Sequence, residues 1–172
     1  MRQTCLLPLL FSALLAGCAS RSTPEPTRNV AIRLHAANAL NVDAQGRPLA
    51  VLTRIYTLRQ DTAFRQAPYD AFLTPHKEKE ALGADLIDVK EVMLVPGQRH
   101  DVVERISRDA SFVGIVALFH APAPQRWRLA YAAAEAAQGG ITVGVHGCSL
   151  SSGAGANAIG TSATLPSPVR CQ

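Results

Sequence analysis

The chain has 172 residues, 48% apolar, 17% charged and 5% aromatic, with a formal net charge of +4. That is the composition of one folded domain with a sizeable core. No basic run interleaved with aromatics occurs, which argues against nucleic-acid binding, and charge interrupts the apolar runs of the middle, so none reaches the roughly 20 residues of a membrane span.

Residues 1–17 have the parts of an export signal: Arg2, an apolar stretch from Cys5 to Leu15, then small residues. Leu15-Ala16-Gly17-Cys18 follows the pattern of a bacterial lipobox, leucine-x-small-cysteine. The chemistry requires that cysteine, because its thiol is alkylated by diacylglycerol, cleavage falls before it, and the new amine can be acylated. Each buried CH₂ contributes about 0.8 kcal/mol, so two or more acyl chains hold a protein to a membrane. Cys18 is therefore expected to be the lipidated first residue of the mature chain; the alternative is a free thiol just past an ordinary cleavage site. An Asp after the cysteine generally favours inner-membrane retention, so Ala19 points to the outer membrane. Residues 20–28, "SRSTPEPTR", are polar with two prolines and read as an extended tether.

The strands begin at Val30–Ala36, where apolar and polar or small residues alternate with the period of a half-buried strand. Asn38 to Pro48 has loop chemistry, with Asn38, Asn41, Asp43, Gly46 and Pro48. Leu49–Leu58 is a second strand, with Val51, Thr53, Ile55 and Thr57 on one face and Leu52, Arg54, Tyr56 and Leu58 on the other. Asp61-Thr62 is placed to open a short helix running to about Leu73, its apolar stripe Phe64, Ala67, Ala71 and Phe72. "HKEKEALG" reads as a further turn or two stopped by Gly83. The two-residue period returns from Ile87 to Val95 and from His100 to Ile106. Phe112–Phe119 is a near-continuous apolar run, expected of a central strand. Trp127–Tyr131 and Ile141–Val145 alternate again, while "AYAAAEAAQGG" between them is expected to be a loop or a single helical turn. About seven short strands with one helical insert predict an antiparallel β-sandwich.

Removing Cys5 with the signal and assigning Cys18 to lipid leaves Cys148 and Cys171. In an oxidising periplasm they would form a disulfide contributing roughly 3 kcal/mol, or stand as two independent thiols. The tail from Ser151 is rich in Ser, Gly, Ala and Pro, and is expected to pack poorly without such a bond. No Cys-x-x-Cys or paired-His spacing exists, and His35, His76, His100, His120 and His146 are scattered, so no metal site is expected. "GCSLS" (147–151) approaches a nucleophile elbow but lacks its second glycine and a later histidine. "GAGANA" from Gly153 lacks the helix and acidic residue of a dinucleotide fingerprint. Asp85 with Asp88, and Asp101 with Glu104, read as solvated strand ends or caps. Arg54, within an otherwise apolar strand, reads as a solvent-facing residue laying its stem over its neighbours, with a partner contact as the alternative. No nucleophile, base and anion stabiliser come together, so no catalytic residue is assigned.

The segments "PLAVLTRIYTL" (48–58), "FRQAPYDAFL" (64–73), "LGADLI" (82–87), "EVMLVPGQ" (91–98), "FVGIVALF" (112–119) and "WR" (127–128) follow one another behind the lipobox. This order resembles the TssJ lipoproteins of the bacterial type VI secretion system, over roughly residues 30–150. The resemblance implies a transthyretin-like β-sandwich with a helical insert, tethered to the outer membrane on its periplasmic face. It implies binding to the periplasmic C-terminal part of the inner-membrane protein TssM, within a membrane complex with TssL, and no cofactor or small-molecule substrate. The family docks through the loop between its first two strands, here 38–48, with Leu40 and Val42 as apolar anchors and Asn41 and Asp43 as polar neighbours. The expected organisation is a signal (1–17), a lipidated tether (18–28), a sandwich domain (29–150) and a C-terminal extension (151–172). Competing readings are a lipid-anchored periplasmic small-ligand carrier or transthyretin-like enzyme, and an envelope chaperone or inhibitor.

Overall fold

The computed structural model describes residues 26–160 and Cys171. The expected export signal and Cys18 lie outside the described residues. Eight strands form two four-stranded sheets, ordered β4-β1-β7-β8 and β3-β2-β5-β6. The strands are β1 (Thr27–Ala36), β2 (Val51–Leu58), β3 (Leu86–Leu94), β4 (Arg99–Ser107), β5 (Phe112–Ala117), β6 (Arg128–Ala132), β7 (Ile141–Val145) and β8 (Leu150–Ser152). The β-sandwich is as the alternation predicts, with one departure: β1 and β7 pair in parallel, Ile32 opposite Ile141 and Ala36 opposite Val145.

Period-two patterning explains the layers, because every second residue of a strand faces the same way. Val30, Ile32 and Leu34 of β1 and Ile141, Val143 and Val145 of β7 turn inward to meet Val51 and Ile55 of β2 and Val113 and Ile115 of β5, all buried. At one side the β3–β4 hairpin passes between the sheets, and Lys90 pairs with Glu104 across the opening. At the other side Tyr131 donates to Ser152 Oγ, joining β6 to β8 at 3.0 Å.

The outer face of the second sheet is covered by residues 61–85. The single helix expected there is two pieces, α1 (Thr62–Gln66) and a 3₁₀ turn (Tyr69–Leu73), followed by α2 (Pro75–Leu82). Pro68 is the reason: it disfavours helical backbone at Ala67, whose ψ is 137°, and so ends α1 one residue earlier. Pro75 starts α2 at a position where its missing N–H costs nothing, and Gly83 (φ 52°) ends it. Phe64 rests directly on Gly114; a Cβ there would lie 2.6 Å from Phe64 Cζ. Phe64, Phe72 and Tyr56 then form a mutual aromatic cluster with centroids 5.3–5.8 Å apart, each worth more than its buried area alone.

Arg54 does not face solvent, as its place in the alternation implied. Its side chain is buried beneath the insert, where Nη1 donates to Phe72 O (2.8 Å) and Glu78 Oε1 (3.0 Å) and Nε to Glu91 (2.8 Å). Tyr56 Oη donates to the same Glu78 oxygen. Burial, then Glu78, push the Tyr56 hydroxyl far above its ordinary range, so it stays protonated and donating. The stretch read as a loop or single turn after Ala130 is instead the end of β6 followed by α3 (Ala133–Gly139), a helix of 7 residues. Alanine propensity prevails there because Ala133 and Ala136 are buried against the sandwich and Gly140 (φ 70°) supplies a stop.

The described part of the C-terminal segment, 151–160, is tied to the sandwich by backbone hydrogen bonds. Gly153 N–H bonds Thr142 O, Ala156 N–H bonds Gly140 O, and Ile159 N–H bonds Ala130 O, each at 2.8 Å. Cys148 and Cys171 are joined in a disulfide.

Candidate partner-binding site

Strand directions divide the sandwich into two ends. Thr27 begins β1 opposite Ser107, the end of β4, so the chain enters at one end. The connections 37–50, 95–98, 118–127 and 146–149 gather at the other, where Ala36 lies beside Val145 and Val51 beside Leu94.

The 37–50 connection is a built structure. Its backbone leans on the β7–β8 turn through Asn41 N–H to His146 O (3.2 Å) and Val42 N–H to Gly147 O (3.0 Å), and closes on itself through Leu49 N–H to Leu40 O (3.0 Å). Leu40, expected as an exposed anchor, is fully buried in the core cluster. Asn41 is buried too, with a backbone φ of 45° that its short polar side chain tolerates. Its Nδ2 donates to Ala50 O and its Oδ1 accepts the His120 N–H, both at 2.7 Å. One side chain thus closes the base of the loop and ties it to the β5–β6 connection.

Asp43 organises the tip. Its Oδ1 accepts the Gln45 and Arg47 N–H groups at 2.9 Å, and its Oδ2 accepts from Arg47 Nε at 2.7 Å. The Arg47 backbone N–H is the largest influence on the Asp43 carboxyl; with the other donors it outweighs desolvation and holds the group below its ordinary 3.8. The Asp43 side chain is therefore turned inward to the loop, and the exposed surface runs from Ala44 to Ala50, with Val42 partly covered. Of the four expected site residues, three support the loop from within and Val42 lies at its margin.

Apolar surface adjoins the tip. Met93 (57% exposed) and Val95 (50% exposed) lie on edge strand β3 and its turn, Met93 opposite Leu52, and Leu49 (38% exposed) precedes β2. Three of the five exposed large apolar side chains among the described residues thus sit at this corner, the others being Leu73 and Val103. Clustered apolar exposure of this kind marks contact surfaces. The signal in the sequence was the apolar pairing in "EVMLVPGQ", where Met93 and Val95 share a face that no covering element follows.

The neighbouring connections stiffen this end. Tyr69 Oη donates to Phe119 O at 2.6 Å, and burial pushes its hydroxyl up to about 12. Trp127 packs edge-on against Tyr69 and Phe72. A side chain on Gly147 would meet Ala39 O, Val42 Cγ2 and Cys171 Sγ, which places the disulfide against the base of the loop. His146 Nε2 and Ser151 Oγ lie 2.7 Å apart nearby, an exposed pair for which no carboxylate orients the ring among the described residues. The end as a whole is a shaped, preformed surface suited to contact with another protein.

Residues 28–148 match the family described as type VI secretion lipoprotein, VasD, EvfM, TssJ. Among solved structures, the chain is similar to the T6SS lipoprotein TssJ1 from Pseudomonas aeruginosa, at 27% identity over 75% of this chain and 97% of that one, TM-score 0.65. It is similar to a chain in a structure described as the T6SS protein TssM C-terminal domain (869–1107) from EAEC, at 29% identity over 73% and 97%, TM-score 0.65. A chain of a structure described as a type VI membrane complex matches at 30% identity over 74% and 98%, TM-score 0.66. No curated protein sequence matches.

Proposed function

Since the chain belongs to the type VI secretion lipoprotein family that includes TssJ, we propose that it is a non-catalytic outer-membrane lipoprotein anchoring the secretion membrane complex. In this reading Cys18 carries the lipid on the periplasmic face of the outer membrane. The far end of the sandwich binds the periplasmic C-terminal part of a TssM-like inner-membrane protein, in a complex that includes TssL. Similarity to chains in structures described by a TssM C-terminal domain and by a type VI membrane complex supports this assignment.

The observation that carries the reading is the polarity of β1. Thr27 is the strand end nearer Cys18 in sequence, while Ala36 leads into the 37–50 loop, about 30 Å away along a ten-residue strand. A lipid at one end and a preformed loop with apolar flanks at the other is the layout of a bridge. Leu40, Asn41 and Asp43 shape that loop, and Val42, the tip from Ala44 and the Leu49–Met93–Val95 corner make the contact. An interface of this kind draws most of its affinity from a few buried apolar side chains surrounded by polar contacts.

Two experiments test the reading. Labelled palmitate should be incorporated by the wild-type chain and not by Cys18→Ala; incorporation by the variant would remove the anchor. Calorimetric titration of the unlipidated chain with a TssM-like periplasmic fragment should show association that Met93→Asp weakens at least tenfold. No association at tens of micromolar would remove the docking mechanism.

A further inference from the structure

The side of the sandwich beside α1 carries a concavity. A cleft of about 350 Å³ lies between α1, β6 and residues 159–160, with Thr62, Arg65, Gln66, Gln125 and Arg128 around it. Its lining contains two cations and no acid.

Arg128 is half-buried there, its guanidinium 4.5 Å from the centre of the Trp127 ring. Nη1 donates to the carbonyls of Phe64 (3.0 Å) and Ala67. Among the described residues its Nε and Nη2 have no hydrogen-bond partner, and no carboxylate lies within ion-pair distance of it. Arg65 is held against the Gly160 backbone, where a Cβ would lie 2.8 Å from its Nη2, and pairs with Asp61 at 3.3 Å. Burial, and then the charge of Arg65, draw Arg128 below its ordinary value. Two guanidinium groups, of which only Arg65 is paired with a carboxylate, in a partly desolvated cleft are an arrangement that an added anion relieves.

The open edge of β6 limits what can enter. Leu150 N–H bonds Arg126 O at 2.6 Å and Ile159 N–H bonds Ala130 O at 2.8 Å, so the chain's own segments cover the edge on both sides of Arg128. The two bonds lie four residues apart, about 13 Å of strand, too short a stretch for a peptide to add by regular strand pairing. A single small group fits it.

We propose that this cleft is an anion site that takes one phosphate or carboxylate group, bound by the uncommitted Nε–Nη2 edge of Arg128 with Arg65 as second cation. The fork geometry of that edge matches two oxygens of such a group.

The test uses the mature chain with Cys18→Ser, so that lipid does not itself bind vesicles. Inorganic phosphate is titrated at constant ionic strength while the Arg128 side-chain Nε–H resonance is followed by NMR. The expected result is a saturable shift in the millimolar range, weakened at least fivefold by Arg65→Gln with an unchanged melting temperature. Because Arg128 fastens α1, Arg65→Gln is the informative variant and Arg128→Lys a secondary one. A parallel sedimentation with phosphatidylglycerol vesicles distinguishes sources: binding lost in Arg65→Gln assigns the anion to a lipid headgroup, and phosphate binding without vesicle binding assigns it to a free anion. No saturable shift with phosphate together with no vesicle binding, or equal effects in wild type and Arg65→Gln, would overturn the site.

Discussion

Replacing Asn41 by Ala removes two hydrogen bonds at the base of the loop, from Nδ2 to Ala50 O and from His120 N–H to Oδ1. Each contributes about 1 kcal/mol net, and the buried partners are then left unsatisfied. The backbone at φ 45° adds about 1 kcal/mol more for Ala, which lacks the local hydrogen bonding that lets Asn occupy this region. The total is about 3 kcal/mol, measurable as a lower urea midpoint with an unchanged slope. Asn41→Gly loses the same hydrogen bonds without the conformational cost, so it should lose about 2 kcal/mol and stand between Ala and wild type. If Asn41→Ala loses less than about 0.5 kcal/mol, or if Gly costs more than Ala, the loop is not held as described.

Glu78→Gln leaves the buried Arg54 with only Glu91 as counter-charge, and should lower stability by about 3 kcal/mol in thermal denaturation. Gly114→Ala drives a methyl into Phe64 and should cost about 1–3 kcal/mol, with a changed near-UV aromatic signal as the insert shifts. Thr53→Val should raise stability by about 1 kcal/mol, since Thr53 Oγ1 is buried without a hydrogen-bond partner among the described residues. Reducing the Cys148–Cys171 disulfide, which spans 23 residues, should cost roughly 3 kcal/mol and speed amide exchange at Asn41 and Val42.

Strand alternation made most of the sandwich legible. In β1, Val30, Ile32 and Leu34 point inward as their spacing requires, and the apolar run from Phe112 is the doubly covered β5. Arg54 shows where such reading stops. A period of two gives the face a residue occupies, but not what lies over that face. Only the folded insert brings Glu78, 24 residues later, onto its guanidinium. Leu40 shows the same limit within the loop. An apolar residue among Asn, Asp and Gly resembles an exposed anchor, yet backbone bonds to the 146–147 turn fold the connection back and bury it. Pro68 carried its local signal openly, as a break after α1, although the apolar stripe across it favoured one helix. The parallel β1–β7 pairing joins segments about a hundred residues apart and has no local signature. The apolar corner was visible in Met93 and Val95 but acquired meaning only when the tip of the loop was found beside it.

Amide hydrogen exchange of the unlipidated chain, alone and with a TssM-like periplasmic fragment, tests the central claim most directly. The account predicts new protection confined to residues 42–50 and 93–97, with Thr27 to Val30 and the 61–85 insert unchanged. Protection centred on the Thr27 end or on the insert, with 42–50 unaffected, would contradict it.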